Sequence, residues 1–314
     1  AIKSKRIIEL TSNEAGIVFR KDKTFLLDWM QVYMEAQESA GKKDGSQIKI
    51  AMRILKDYAG EMVTLDQIDG DFCRGYITYL LTEYHPKGKD ISNYTLHNYY
   101  RALNGALNSA VRKKKMKANP FNELEKSEKI RKPESMRSYM TIEEVQALID
   151  TPMPHEEYEI VKCAYLFSCF CGLRISDIIK LKWNDVFVDR GQYRLAVSMK
   201  KTKEPIYLPL SPEALKWMPE RGGKSSEDNV FDLPSANTIR MQLKPWAKAA
   251  GISKRFSYHT SRHTFATMML TLGADLYTVS KLLGHADVKM TQVYAKIINK
   301  KKDEAVNLVN GLFH

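Results

Sequence analysis

Several features that would place the chain in a common protein class are missing from its sequence. No apolar stretch approaches the ~20 residues needed to cross a bilayer, and no apolar segment follows the basic N-terminus as it would in a signal peptide. The four cysteines lack the paired Cys-x-x-Cys spacing of a zinc site. We therefore expect small buried thiols in a reduced compartment. These cysteines are Cys73, Cys163, Cys169 and Cys171.

Two absences bear on the chemistry. The sequence has no GxxxxGK[ST] loop, the motif that cradles nucleotide phosphates. It also has no carboxylate cluster that convincingly builds a two-metal site. The sequence therefore gives no sign of a nucleotide or metal cofactor.

Acidic residues are in short supply relative to basic ones. The chain has 37 Asp and Glu against 49 Lys and Arg, which gives a formal net charge of +12. Such an excess attracts polyanions, nucleic acid first, although many basic proteins never meet DNA. The length of 314 residues and the hydrophobic fraction of 44% suit two domains with real cores.

The first part of the chain, residues 21–118, is predicted to be a small bundle of four helices. In the first helix, Phe25, Trp29, Val32 and Ala36 recur at helical spacing and are expected to face the core. The fourth helix ends in a dense basic run. The run is either a solvated helix end, where cations complement the macrodipole, or a phosphate-facing surface, which its density favours. Its members are Arg112, Lys113, Lys114, Lys115 and Lys117.

The remaining segments are divided by composition. Residues 1–20 are interpreted as an N-terminal tail or linker, and residues 119–137 as an extended interdomain linker, because Pro120 and Pro133 break helix. The second domain, 138–314, opens with a Thr141–Glu144 capping box and contains two candidate strands, YRLAVSM and IYLPL. It ends in a tail helix that packs on its own domain or on a neighbouring protomer. The predicted fold class is mainly α with a small β-sheet.

Two local motifs in the second domain could carry chemistry. Gly172-Leu173-Arg174 ends an apolar helix, where an arginine is either a structural cap or an anion ligand. Lys201 lies in the predicted turn between the strands, where a lysine alone is usually just solvated. Neither motif decides the function by itself.

Two more motifs follow towards the C-terminus. In YHTSRHTFAT, His259 and Arg262 are three residues apart, so on a helix they share a face and can reach one phosphate, unless they are an ordinary surface pair. His263 is expected to point elsewhere. LLGH then supplies His285, and Tyr294 follows nine residues later as one of 16 tyrosines.

Together these motifs resemble the tyrosine recombinase family, which includes phage and conjugative-transposon integrases and the Xer recombinases. The resemblance is strong over residues 138–298. It is looser over the N-terminal bundle, which is similar to the family's core-DNA-binding domain in position and helical character. The residues that match the family pattern, in the family's order, are Arg174, Lys201, His259, Arg262, His285 and Tyr294.

The resemblance implies a site-specific DNA recombinase that integrates or excises a mobile element. Two arginines would clamp the scissile phosphate, and Tyr294 would attack it to form a 3′-phosphotyrosyl intermediate. His259 would take or relay the phenol proton, Lys201 would protonate the departing 5′ oxygen, and His285 would hydrogen-bond the phosphate.

The resemblance also implies binding partners, and the sequence is compatible with alternative functions. The expected partners are double-stranded DNA at attachment or core sites and three further copies of the chain, which form a homotetramer on two duplexes that pass through a Holliday junction. A DNA-bending host factor or an excisionase would be an accessory partner, and the expected location is the bacterial cytoplasm, at the nucleoid. The alternatives are DNA relaxation of the type IB topoisomerase kind, a non-catalytic DNA-binding regulator and, more remotely, a metal-dependent nuclease.

Overall fold

The chain folds into two compact units, which comprise residues 1–135 and 136–314. The computed structural model describes residues 23–42, 45–133, 137–198 and 205–295. Within these ranges, no helix is long and apolar enough to cross a membrane. Lys201 and the predicted tail helix lie outside the described residues.

The first unit is a helical bundle, as the sequence predicts. Local signals begin two of its helices: the Asp69 carboxylate accepts a hydrogen bond from the Phe72 N–H at 2.8 Å, and the Ser92 hydroxyl accepts one from the Thr95 N–H. Short 3₁₀ turns at Leu65–Gln67 and Pro86–Gly88 connect successive helices. The helices are α1 (Leu26–Ser39), α2 (Gly45–Ala59), α3 (Gly70–Thr82) and α4 (Asn93–Arg112).

The buried face of α1 differs from the predicted one. Trp29 is buried as expected, and its indole N–H donates to the Ala106 carbonyl at 2.8 Å. Val32, however, is 53% exposed and Ala36 is exposed too, whereas Met30 and Met34 are buried. Two apolar stripes compete on this helix, and the stripe with the two long methionine side chains packs against α2 and α4 because it removes more apolar surface from water.

The predicted extended linker, 119–137, is largely part of the first unit. Residues Pro120–Asn122 form a 3₁₀ turn, and Phe121 is 1% exposed, with its ring edge-on to Tyr100 at a centroid distance of 5.0 Å. Leu124 and Ile130 are buried in the same core. The expectation of an extended chain is therefore wrong at least as far as residue 130, because apolar side chains scattered through this polar stretch anchor it.

The second unit combines helices with one small sheet. Strands β1 (Val186–Asp189), β2 (Gln192–Ser198) and β3 (Pro205–Pro209) form an antiparallel sheet in the order β1-β2-β3. The two predicted strands are β2 and β3, and the mainly α fold class is confirmed. Strand β1 is not predicted from the sequence. Arg190 and Gly191 connect it to β2, and their φ angles of 51° and 78° are those of a two-residue hairpin turn.

The helices of the second unit surround α6, whose residues are mostly buried. Helices α8, α9 and α10 all pack against α6, and the Tyr165 and Thr260 hydroxyls, 3.0 Å apart, join α6 to α10. Cys169 and Cys171 are buried in this core, as expected, whereas Cys163 is only half-buried at its edge. The helices are α5 (Ile142–Asp150), α6 (Glu159–Cys171), α7 (Ile175–Ile178), α8 (Pro212–Leu215), α9 (Ala236–Ala249), α10 (Tyr258–Thr271), α11 (Leu276–Leu282) and α12 (Lys289–Ala295).

Candidate active site

The turn after α6 places Arg174 at the start of α7. Gly172 ends α6 with φ of +74°, and a Cβ there would lie 2.5 Å from a ring carbon of Phe265, so both conformation and space call for glycine. The Arg174 backbone N–H donates to the Asp177 carboxylate, and the Arg174 guanidinium lies 3.9 Å from that carboxylate. Arg174 is therefore held at a tight turn with its side chain only partly covered.

Arg262 lies on α10 and is almost fully buried, at 2% exposure. Its guanidinium donates to the backbone carbonyls of Gly172, at 2.7 Å, and of Leu283. Burial, followed by the neighbouring Arg174 charge, lowers the pKa of Arg262 to about 10, so the group stays charged at neutral pH. These bonds use two of the five N–H donors of the guanidinium, and they tie the ends of α6 and α11 to α10.

His259 precedes Arg262 by one helical turn and is exposed. Its pKa is lowered, first by partial loss of hydration and then by the positive charges of Arg262, Arg137 and Arg174. The two predicted arginines and a third one therefore act on the same imidazole. A site with this concentration of positive charge is suited to an anion such as a phosphodiester.

His285 follows α11 and is fixed by α12. Its backbone N–H donates to the Ser280 carbonyl at 3.0 Å, and its Nδ1 lies 2.7 Å from the Thr291 hydroxyl, which is buried. The preceding Gly284 has φ of +60°, a conformation that glycine adopts without strain. The turn directs the imidazole towards the helix that carries Tyr294.

Tyr294 lies on α12 with its side chain 1% exposed, packed against Phe265 and Leu283 among others. Its hydroxyl oxygen lies 2.9 Å from Nη1 of Arg137 and 2.6 Å from Nδ1 of His263. It also lies close enough to Arg262 for a phenolate at this position to favour the charged form of that guanidinium. The hydroxyl is therefore set among cationic and imidazole groups rather than in the apolar core alone.

The structure thus brings together five of the six predicted residues: Arg174, His259, Arg262, His285 and Tyr294. It also brings in two that the sequence analysis missed. The expectation that His263 points away from the site is wrong, because positions i and i+4 of a helix share a face as i and i+3 do; the rings of His259 and His263 are 4.4 Å apart. Arg137 belongs to no motif in the sequence, and only its contact with Tyr294 in the folded structure identifies it as part of the site.

The basic run at the end of α4 lies in the first unit. All five residues are exposed, and none forms an ion pair with a described carboxylate. Lys114 has φ of 57°, at the point where α4 ends. Among the described residues, no group of three or more His, Cys, Asp or Glu side chains could hold a metal ion.

Comparison with known proteins shows the class to which this fold and site belong. The phage integrase family matches residues 138–301, and the phage integrase SAM-like domain matches residues 25–131. The chain therefore belongs to the phage integrase family, and the resemblance drawn from its motifs is confirmed.

Individual relatives are tyrosine recombinases. The chain is 29% identical to a tyrosine recombinase of Pseudothermotoga lettingae, over 70% of this chain and 82% of that protein. It is 32% identical to the tyrosine recombinase XerD of Vibrio vulnificus, over 54% of this chain and 59% of that protein. The latter match thus spans about three fifths of XerD.

Solved structures show the same fold at low identity. A Tn1549 transposon integrase in complex with transposon right end DNA superposes with a TM-score of 0.70 at 17% identity, over 93% of this chain and 100% of that chain. A lambda integrase tetramer bound to a Holliday junction superposes with a TM-score of 0.65 at 21% identity, over 87% of this chain and 78% of that chain.

Proposed function

We propose that this protein is a site-specific DNA recombinase of the integrase type, which cleaves and rejoins DNA strands through Tyr294 to integrate or excise a mobile element. The observation that carries the proposal is the position of the Tyr294 hydroxyl, which lies 2.9 Å from Nη1 of Arg137 and 2.6 Å from Nδ1 of His263. Membership of the phage integrase family supports it.

In this proposal, Arg174 and Arg262 bind the non-bridging oxygens of the scissile phosphate. A guanidinium is planar, carries several donors and stays charged, so it stabilises the negative charge that grows on those oxygens in the transition state. Because Arg262 is already fixed by two backbone carbonyls, it needs little reorganisation when the phosphate arrives. His285, fixed through Thr291, hydrogen-bonds the same phosphate.

Tyr294 then attacks the phosphorus atom and forms a 3′-phosphotyrosyl bond, while the 5′ oxygen departs. His259 takes or relays the phenol proton, and Lys201 protonates the leaving oxygen. The energy of the broken phosphodiester is kept in the covalent link, so the 5′ hydroxyl of another strand can reverse the step without ATP.

The proposed DNA partner is a duplex attachment or core site, and four protomers act on two duplexes through a Holliday junction. The lambda integrase tetramer bound to such a junction supports this assembly by its similarity of fold. In the first unit, Arg112, Lys113, Lys114, Lys115 and Lys117 are proposed to contact phosphates. A DNA-bending host factor or an excisionase is proposed as an accessory partner, and the proposed place of action is bacterial DNA.

The test of the proposed function is a covalent-adduct assay. A duplex selected for binding from a random-sequence pool is nicked near the cleavage position, so that a short 5′ fragment diffuses away and the adduct accumulates. We expect the wild-type chain to form an adduct on Tyr294, and Tyr294→Phe to form none while its affinity for the duplex stays within about twofold. Tyr277→Phe is the matched control, because Tyr277 is 60% exposed.

Further arms of the same assay separate the alternatives. Adducts in the Tyr294→Phe variant would place the nucleophile elsewhere. Loss of cleavage in excess chelator would indicate a metal-dependent nuclease. Two duplexes supplied together should yield exchanged strands; relaxed plasmid without exchange would indicate a topoisomerase, and DNA binding without any adduct would indicate a regulator.

A further inference from the structure

The Tyr294 hydroxyl has two hydrogen-bond partners that the proposed reaction does not yet use. Nη1 of Arg137 lies 2.9 Å away and Nδ1 of His263 lies 2.6 Å away. A guanidinium can only donate, so the phenol oxygen accepts from Arg137. The single phenol hydrogen can then point at Nδ1 of His263, which accepts it when the neutral ring carries its proton on Nε2.

The surroundings of His263 keep its imidazole ring neutral in the free protein. Burial first, and then His259, Arg137, Arg262 and His285, lower the pKa of His263 to about 3. In the tautomer with its proton on Nε2, the neutral ring offers the lone pair of Nδ1 to the phenol at neutral pH. A phosphate bound by the same arginines would bring negative charge and raise this pKa, so the imidazole becomes a stronger base when substrate is present.

The arrangement of His259 and His263 agrees with His263 as the residue next to the phenol. The His259 ring packs edge-on against the His263 ring, with 4.4 Å between centroids. His263 is 7% exposed and His259 is exposed to solvent. His263 is thus the imidazole in contact with the reacting oxygen, and His259 is its neighbour at the surface.

We propose that His263 is a further catalytic residue, the first acceptor of the Tyr294 proton, which leaves relay of that proton to His259, and that Arg137 stabilises the phenolate that forms. This inference rests on the proposed function. As Tyr294 Oη bonds to phosphorus, its O–H bond breaks and an N–H bond forms at Nδ1 of His263. The P–O5′ bond breaks in the same step, and the 5′ oxygen takes its proton from Lys201. Ligation by a 5′ hydroxyl runs the same transfers in reverse.

The experiment measures adduct formation on the nicked duplex as a function of pH. In His263→Asn, the amide can offer an acceptor near the position of Nδ1 but cannot hold a proton at neutral pH. We expect its cleavage rate at pH 7 to fall by roughly 10²-fold, within the range of general acid–base catalysis. The rate should then rise steeply with pH, since hydroxide in solution replaces the missing base. The wild-type rate should rise less.

Matched variants separate this role from a structural one. His155→Asn, at an exposed histidine of the same unit, should leave both rate and pH profile unchanged. Arg137→Met should lower the rate at pH 7 by at least tenfold. Binding of the same duplex, measured at equilibrium, reports whether each variant is folded.

The outcomes are distinguishable. If wild type forms no adduct at Tyr294, the proposed function fails. If wild type forms it and His263→Asn binds DNA but cleaves as fast or faster, with an unchanged pH profile, only the role of His263 is overturned. Should His263→Asn fail to bind, ¹⁵N-histidine spectra of the free wild-type chain decide the matter. A neutral His263 ring with its proton on Nε2 supports the proposal, and an imidazolium or a proton on Nδ1 overturns it.

Discussion

Arg262 illustrates how one side chain serves both the fold and the proposed chemistry. Its two bonds to backbone carbonyls, at Gly172 and Leu283, satisfy acceptors at the ends of α6 and α11. The proposed phosphate clamp needs the same guanidinium, held in one orientation. Arg174, by contrast, is partly exposed and interacts with Asp177 at 3.9 Å.

This difference predicts different results for the same substitution at the two arginines. In Arg262→Lys, one ammonium cannot reach both carbonyls in the same geometry, so a buried acceptor loses its partner. We expect the free energy of unfolding to fall by about 1–3 kcal/mol and cleavage to fall as well. Arg174→Lys should lower cleavage with a stability change under about 1 kcal/mol.

The measurement for both variants is urea unfolding followed by tryptophan fluorescence. Three of the four tryptophans, Trp183, Trp217 and Trp246, belong to the second unit. Equal loss of stability in the two variants would contradict the structural role assigned to Arg262.

The site could be predicted from sequence only where its residues stand in short motifs. His259 and Arg262 are three residues apart on one helix, and His285 and Tyr294 are nine residues apart. Spacing alone is also compatible with a surface pair and an ordinary tyrosine, and the resemblance to the tyrosine recombinase family selects these residues. Arg137 is 157 residues from Tyr294 along the chain, and no local pattern can link them. The presence of His263 in the site is predictable from the sequence, because its i+4 spacing from His259 puts both rings on one face of the helix.

At the scale of elements, the end of α6 is the junction on which the site is built. Gly172 adopts a left-handed conformation, lies against Phe265 and Leu283, and offers its carbonyl to Arg262. A side chain here would be strained by the backbone and would also displace α10 or α11. The carbonyl that orients Arg262 would move with it.

We therefore predict that Gly172→Ala is far more damaging than an alanine at another left-handed glycine. Gly251 is the matched control, because it has φ of +75° and nothing within 4 Å of its would-be Cβ. Gly251→Ala should cost about 1 kcal/mol of stability. Gly172→Ala should cost roughly 1–3 kcal/mol more, because of overpacking, and should slow cleavage. The measurement is urea unfolding of both variants. If they lose similar free energies of unfolding, the Phe265 ring moves aside at little cost and the prediction is wrong.

The elements themselves were predictable where capping and periodicity agree. The Thr141–Glu144 capping box begins α5 as expected. The face of α1 was mispredicted because two apolar stripes run along it and only tertiary packing chooses between them. The segment after residue 118 was mispredicted for a related reason: Phe121 and Ile130 stand alone among polar residues, and a single buried anchor has no period to detect.

At the scale of the whole molecule, charge is the property that sequence gives most directly. The net charge of +12 describes an average field, whereas binding to DNA depends on which cations meet phosphates. The exposed basic run at the end of α4 has three consecutive lysines without a described carboxylate partner: Lys113, Lys114 and Lys115.

We predict that replacing these three lysines by alanine weakens DNA binding and makes it less sensitive to salt. The slope of log K against log salt concentration should shrink by about 0.9 for each lysine that contacts a phosphate. The control removes three lysines that are each ion-paired with a glutamate, Lys56, Lys182 and Lys216, and lowers the net charge equally. Because surface ion pairs contribute little to stability, both variants should stay folded. Equal slopes in the two variants, measured by fluorescence anisotropy across a salt series, would mean that overall charge, rather than the α4 run, governs binding.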